Sequence, residues 1–301
     1  MPMRKIRLVK DITARHFMLG IAVFTILFLL VIGFSLFFKA LPIMKEKNLW
    51  VLLTSANWKP FKGDFGFLPY IVSTVYVSLI AIIIALPLSI LTSIFLNSYA
   101  SKSIRRLFEP VVDLLSGIPP VIYGVWGIIT IVPLISNKIA PRFVEFSTGY
   151  TVLAGGVVLA IMIIPLLISI LVEVFRSIPK EITDASLSMG ATKWQTVKKV
   201  ILRKSFPGII AASVLALSRA FGETMAVLMV CGNIAQIPHS FFDACYPLPA
   251  LIANNYGEML SMPDYESALM FAAFLLFIIV VLFNGLSRFT LNQIEKKYQF
   301  S

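Results

Sequence analysis

The sequence predicts an all-α membrane protein whose single domain crosses the bilayer six times. Hydrophobic residues make up 58% of its 301 residues and charged residues only 14%, whereas soluble domains carry roughly 25% charged residues. Six long stretches carry almost no charge, and each exceeds the roughly 20 residues needed to cross the hydrocarbon layer. Backbone groups in lipid must be bonded within their own segment, so these stretches are expected to be helices. The predicted spans are about residues 17–38, 68–97, 111–136, 148–172, 207–231 and 267–287.

Lys and Arg are unevenly distributed between the segments that join the spans. With six spans both termini lie on one side, which receives 18 of the 26 Lys and Arg residues, against seven on the other side. Because cytoplasmic segments carry the excess of basic residues, both termini are predicted to be cytoplasmic. Residues 1–16 form a basic lead-in, either a topology anchor or a segment lying on the inner membrane surface. Topology and attraction to membrane lipids account for the net charge of +11, so no nucleic-acid partner is expected.

The third predicted span contains a point at which a regular helix cannot continue. Gly117, Pro119 and Pro120 lie in the motif Ser-Gly-Ile-Pro-Pro, where the prolines remove two backbone donors from an apolar run. Non-helical backbone at membrane depth is tolerated where protein or a water-filled cavity covers it. The motif therefore predicts either an ordinary proline kink or the wall of a cavity.

The polar segment 173–206 joins the fourth and fifth spans on the predicted cytoplasmic side. Gly190 divides this segment, because glycine can adopt φ > 0 and so end a helix. Thr192 followed by Gln195 is a capping box, which predicts a second helix just after the glycine. We therefore expect two helices joined by a glycine turn on the cytoplasmic surface, a shape suited to docking on a soluble partner.

Arg219 and Glu223 are the two ionisable residues of the fifth span. Ionisable side chains at membrane depth are energetically costly, so they are functional candidates by default. Residues four apart share a helix face, which predicts that the two side chains lie about 6 Å apart and can pair. The pair either locks helix packing or lines a path in which the arginine attracts an anion. A planar guanidinium favours an oxyanion over a cation or a sugar.

The motifs of several other functional classes are absent from the sequence. It contains no G-x-x-x-x-G-K-[ST] loop, so ATP-driven transport would require a partner ATPase. It also contains no nucleophile elbow or comparable catalytic motif, and no His/Cys cluster with the spacing of a metal site. Cys231 and Cys245 are expected to be either free thiols or a disulfide that closes the loop between them.

The polar segment resembles the EAA loop of ABC-importer permeases. Its sequence D-A-S-x3-G-x9-V-x-L follows the family pattern E-A-A-x3-G-x9-I-x-L-P, with Arg203 in place of the proline. The resemblance implies that this segment docks on an ATPase subunit. The docking residues are then Asp184, Ala185, Gly190, Ala191 and Thr192.

Essentially the whole chain resembles the PstC family, permease subunits of bacterial phosphate ABC importers. The matching segments are GIPPVIYGVWG at 117–127, SLSMGATKWQTV at 186–197 and ALSRAFGETMAVLMVCGN at 216–233. The resemblance implies the type I ABC-importer fold with cytoplasmic coupling helices, in a bacterial inner membrane. It also assigns Arg219 and Glu223 to the phosphate path.

The same resemblance implies partners. They are a second permease subunit similar to PstA, two ATPase subunits similar to PstB, and a periplasmic or lipid-anchored phosphate-binding protein similar to PstS. ATP would be used by the ATPase partner, and this chain would be a transport subunit without a cofactor or enzymatic activity. The alternatives are a sulphate, molybdate or tungstate permease, the sister subunit PstA, a stand-alone anion transporter, and a membrane scaffold.

Overall fold

The computed structural model describes residues 2–257 and 263–299, with the side chains of residues 12–257, 263–286, 288 and 289. Helices dominate this part of the chain, and one short hairpin joins strands β1 Trp58–Lys59 and β2 Asp64–Phe65. The helices are α1 Pro2–Glu46, α2 Leu49–Thr54, α3 Leu68–Ile94, α4 Lys102–Ser116, α5 Pro120–Trp126, α6 Val132–Leu134, α7 Val152–Arg176, α8 Lys180–Ser188, α9 Lys193–Thr196, α10 Leu202–Gly222, α11 Met225–Val230, α12 Leu248–Asn255 and α13 Pro263–Gln299. Short π-helical segments extend α3 and join α5 to α6 and α9 to α10 without a break.

Six helical segments of the described chain are long and apolar enough to cross a membrane, which confirms the predicted fold class. These segments are Ile12–Glu46, Leu68–Tyr99, Pro120–Arg142, Val152–Arg176, Lys193–Gly222 and Pro263–Leu286. Residues 2–16 of the predicted lead-in are helical and continuous with the first span. The side chains of its first eleven residues lie outside the described part of the chain.

The third span begins later than the prediction of residue 111, because α4 is a separate helix. α4 ends at Ser116, and the turn 117–119 separates it from α5. A residue before proline disfavours the α conformation, and Pro119 and Pro120 donate no backbone bond, so the helix ends at the turn. The charged residues of α4 recur at helical spacing along one side and are Lys102, Arg105, Arg106, Glu109 and Asp113.

The fifth span also differs from the predicted range of 207–231. A continuous helix runs from Lys193 to Gly222, so the second half of the predicted polar segment is helical and continuous with this span. The helix ends at Gly222, and Glu223 has an extended backbone with ψ of 126°. α11 then continues towards the far side as a separate short helix.

Helices α3 and α7 form the centre of the domain. Gly155 of α7 packs so closely that an added Cβ would lie 2.4 Å from the Cys231 Sγ and 3.3 Å from Val77. Two hydroxyls of α3 donate to carbonyls of α7, Ser89 to Ile164 at 3.4 Å and Ser93 to Ile168 at 3.3 Å. Small residues and interhelical hydroxyl bonds are the usual means of helix packing in membranes.

Helix α1 is almost entirely exposed and packs along α13. The Ser267 hydroxyl accepts from the Ile43 amide at 3.1 Å and donates to the Lys39 carbonyl at 3.2 Å. The rings of Phe37 and Phe274 lie 5.5 Å apart further along the same contact. The remaining surface of α1 is free to contact lipid or another subunit.

Cys231 and Cys245 lie at the end of the domain opposite α8 and α9. Both are buried and unbridged. The Cys245 amide donates to the Cys231 carbonyl at 2.9 Å. Of the two alternatives for this pair, the structure has the free thiols.

Candidate functional site

Arg219 lies near the end of α10 on a face that turns away from the protein's own core. Exposed residues recur along this face at Ala211, Leu215, Arg219 and Gly222, at the three- and four-residue intervals of one helical stripe. No carboxylate of the described chain lies within ion-pair distance of the Arg219 guanidinium. Its charge is therefore available to a ligand.

The predicted pairing of Arg219 with Glu223 is wrong. The expected geometry requires an unbroken helix, and α10 ends at Gly222, one residue before the glutamate. The Glu223 carboxylate instead accepts from the Ala226 amide at 3.4 Å, at the beginning of α11. It is half-buried, in a crevice that Thr74 and Ser78 also line. The two side chains are therefore not paired in this structure.

The turn at Gly117 lies in the same region as Arg219. The Tyr123 hydroxyl donates to the Leu115 carbonyl at 2.8 Å, which joins α5 to the end of α4 across the turn. Arg219 is close enough to this hydroxyl for the two side chains to interact electrostatically. Gly117 and Pro119 are exposed. A break in the helix is thus established here, and its role as a cavity wall stays a prediction.

Gly124 lets α5 approach α11 closely. A Cβ at this position would lie 2.6 Å from the Met229 Sδ and 3.2 Å from the Ala226 Cα. Helix α11 begins at Met225, two residues after Glu223, so this contact holds the short helix whose Ala226 amide donates to the Glu223 carboxylate. The helix that follows the Gly-Ile-Pro-Pro turn is therefore packed against the helix that follows Glu223.

The predicted glycine turn between α8 and α9 is confirmed, and we call residues 180–196 the docking loop. Gly190 has a φ of 84°, in the left-handed region that favours glycine. Its amide donates to the Leu187 carbonyl at 2.9 Å, and the Ala191 amide donates to the Ser186 carbonyl at 3.3 Å. These two bonds form a Schellman motif, which ends α8 at the expected position.

The predicted capping box is also confirmed. The Thr192 hydroxyl accepts from the Gln195 amide at 3.2 Å, and the Gln195 side chain accepts from the Thr192 amide at 2.9 Å. Between α8 and α9, the Ser186 and Thr196 hydroxyls lie 3.0 Å apart in a buried contact. The angle between the two helices is therefore fixed by side chains as well as by the turn.

The docking loop presents apolar side chains to the surface. Met189 is 85% exposed and Trp194 is 53% exposed. Of the predicted docking residues, Asp184, Ala185, Gly190 and Thr192 are exposed and Ala191 is half-buried. Large apolar residues exposed beside polar ones are typical of a protein–protein contact.

Ion pairs join α4 to the end of α7, just before the docking loop. Arg176, at the end of α7, pairs with Glu109 of α4 and, at 3.1 Å, with Glu173. Arg105 of α4 donates to the carbonyls of Leu96 and Asn97 at the end of the second span. α4 is therefore attached to the end of α7, from which the chain continues into the docking loop.

Sequence reasoning did not single out Ser186, Tyr123, Met189 or Trp194. The matched motif contains Ser186 where the family has alanine, and this difference was the available signal for a new polar contact. An aromatic residue and a methionine in a polar loop were the signals for an exposed contact surface. Nothing local indicated Tyr123, because its partner Leu115 lies beyond the helix break.

Comparisons with known proteins agree with this architecture. The family described as "Binding-protein-dependent transport system inner membrane component" matches residues 85–298. The chain is 35% identical over 280 residues to a protein of Methanocaldococcus jannaschii named "Probable phosphate transport system permease protein PstC", and the alignment covers 88% of each chain. It is 33% identical over 316 residues to the phosphate transport system permease protein PstC of Mesorhizobium japonicum, covering 97% of this chain and 96% of that relative.

A solved structure supports the fold independently. A chain of a bacterial alginate ABC transporter aligns with a TM-score of 0.65 at 16% identity, covering 96% of this chain and 98% of that one. At this level of identity the likeness concerns the fold alone, and it confirms the importer-permease architecture. The chain therefore belongs to the family of binding-protein-dependent transport system inner membrane components, as one of its PstC-like permease subunits.

Proposed function

We propose that this chain is a permease subunit of an ATP-driven importer and that inorganic phosphate passes Arg219 on its way across the membrane. The observation that carries the proposal is an arginine at membrane depth that is exposed and has no carboxylate partner in the described chain. A guanidinium that never deprotonates suits a phosphate oxyanion through two parallel hydrogen bonds. Relatives of this chain carry names that specify phosphate transport.

The exposed stripe of α10 also implies a second permease subunit. A guanidinium facing lipid at this depth would be strongly destabilising, so another protein surface must cover the stripe around Leu215 and Arg219. A path between two such subunits would leave Arg219 facing the substrate. We propose a PstA-like subunit for this role.

We further propose that the docking loop contacts a PstB-like ATPase, of which the complex would contain two copies, and that ATP is hydrolysed there. The exposed Met189 and Trp194 side chains and the rigid turn at Gly190 support this assignment. The docking loop then lies in the cytoplasm, and both termini lie on the same side. The membrane in this proposal is the bacterial inner membrane. A PstS-like protein would deliver phosphate at the opposite face, next to the Cys245 end.

The test is phosphate uptake by complexes that contain Arg219 variants. Arg219→Gln should assemble with its partners and lose phosphate uptake, since the anion loses its counter-charge. Arg219→Lys should recover little uptake if bidentate contact matters. Arg106→Gln, which removes an exposed arginine of α4, is the matched control and should transport normally.

The double variant separates a transport role from a packing role. Because Arg219 and Glu223 do not pair, neutralising both should leave uptake as low as Arg219→Gln alone. Wild-type uptake by an assembled Arg219→Gln/Glu223→Gln complex would overturn the proposed path. Competition by excess sulphate or molybdate against labelled phosphate distinguishes phosphate from other oxyanions, and strong competition would contradict the phosphate assignment.

A further inference from the structure

A cavity of about 580 Å³ lies between the docking loop and the ends of three membrane spans. The second span contributes Asn97 and Ser98, and the fourth contributes Phe175 and Arg176. The docking loop contributes Lys180 and Lys193 among others. The cavity is thus at the level where the predicted inner leaflet has its headgroups, and it is distant in the fold from Arg219.

The cationic side chains around this cavity outnumber its carboxylates. Arg176 is neutralised by Glu109 and Glu173, and Arg105 is occupied by backbone carbonyls. Lys180 and Lys193 have no carboxylate within ion-pair distance in the described chain, and Asp184 is the one acidic side chain of the lining. The cavity therefore carries a net positive charge, which favours a negatively charged ligand.

Two further features of the lining point to a ligand with acceptor oxygens. The Ser98 hydroxyl oxygen is buried and has no hydrogen-bond partner within the described chain, although buried polar groups are nearly always bonded. Helix α8 begins at Lys180 without a side-chain cap on its first amides, and such amides favour anions. Phe175, Val197 and Ile201 supply an apolar wall on the other side.

We propose that this cavity binds a phosphate group, contributed either by the headgroup of an anionic lipid or by free inorganic phosphate. Basic pockets between helix ends on the cytoplasmic side bind anionic headgroups, and Lys180, Lys193 and the Ser98 hydroxyl provide the donors. Because Lys180 and Lys193 belong to the docking loop, the bound group holds the loop against the membrane helices. The inference uses the docking loop's position and does not depend on which substrate the permease transports.

The experiment compares binding by the full-length chain in phosphatidylcholine nanodiscs with and without phosphatidylglycerol. Native mass spectrometry measures the phosphatidylglycerol that the protein retains. Binding of inorganic phosphate is measured by calorimetry in the discs without phosphatidylglycerol, with an Arg219→Gln background that removes the proposed transport site. Lys180→Gln/Lys193→Gln should weaken binding about fivefold for each lysine removed, the effect typical of one basic residue at an anionic surface. Lys198→Gln/Lys199→Gln, which removes two exposed lysines outside the lining, is the matched control.

Ser98→Ala provides a second measurement that a purely structural role would not reproduce. Removing an unpartnered buried hydroxyl should leave the thermal stability of the chain unchanged or raised, while binding of the phosphate group should weaken. Loss of phosphatidylglycerol identifies a lipid as the source, and loss of inorganic phosphate binding identifies the free anion. Absence of both ligands from the wild type, or equal binding by the lysine variant and its control, would overturn the proposal.

Discussion

The hydroxyl groups of Ser186 and Thr196 lie 3.0 Å apart and bridge the two helices of the docking loop. Both residues are buried, with exposed fractions of 8% and 3%. The bridge closes the loop on the side opposite the glycine turn. The loop is therefore held at two points, so α8 and α9 can move as one body.

The first prediction concerns this bridge. Ser186→Ala leaves the Thr196 hydroxyl buried without its partner, which should destabilise the folded chain by about 1–3 kcal/mol. Ser186→Ala/Thr196→Val removes both hydroxyls and should restore most of the loss. Thermal unfolding of the purified protein measures this, with Ser188→Ala at an exposed position as the control. A double variant less stable than Ser186→Ala would contradict the bridge.

The second prediction concerns Gly190, where backbone conformation alone decides the outcome. An added Cβ would meet no heavy atom within 4 Å, but the φ of 84° disfavours residues with a side chain. We therefore expect Gly190→Asn to be tolerated, because asparagine visits this region. Gly190→Val should destabilise the turn by more than about 1–2 kcal/mol and reduce co-purification of the ATPase subunit. Equal ATPase recovery with both variants would show that the turn is not needed for docking.

The docking loop could be predicted from sequence because its determinants are local. The φ of Gly190 and the capping box of Thr192 and Gln195 involve residues within a few positions of one another. The bridge from Ser186 to Thr196 could not be predicted, because it depends on how α8 and α9 meet in space. Its only signal was a serine in a motif that usually has alanine.

The region around Arg219 shows where the same reasoning fails. The four-residue spacing of Arg219 and Glu223 predicted a pair, but residues four apart share a face only within a continuous helix. The helix ends at Gly222, one residue before Glu223. In contrast, the break at Pro119 and Pro120 was predicted because proline removes backbone donors wherever it lies. The helix α4 was missed, although its charged residues recur every three or four positions from Lys102 to Asp113.

The third prediction tests the capping role of Glu223. Gln at this position keeps an oxygen that can accept from the Ala226 amide, whereas Ala has no acceptor. Glu223→Ala should therefore lower the stability of the folded chain by about 0.5–1.5 kcal/mol, the typical net contribution of one hydrogen bond, and Glu223→Gln should not. The unfolding temperatures of the two purified variants test this prediction. If Glu223→Gln is as unstable as Glu223→Ala, the carboxylate charge is required and the capping role is insufficient.

The fourth prediction concerns the contact of Gly155 with Cys231 at the centre of the domain. A Cβ at residue 155 would lie 2.4 Å from the Cys231 Sγ, a distance that real contacts do not reach, so the sulfur or the helices must move. Overpacking of this kind typically costs about 1–3 kcal/mol. Gly155→Ala should therefore lower the unfolding temperature of the purified protein, while Gly20→Ala, at a position open to its surroundings, should not.

A second substitution, at Cys231, tests the Gly155 prediction more directly. Cys231→Ala removes the atom that the new Cβ would strike, and the next neighbour, Val77, is 3.3 Å away. The double variant Gly155→Ala/Cys231→Ala should therefore be more stable than Gly155→Ala, even though Cys231→Ala alone removes a buried side chain and should be destabilising. The coupling between the two substitutions is the quantity to measure, since distant sites add independently. Additive losses would mean that the two residues are not in contact, and that α7 and the end of α11 pack in some other register.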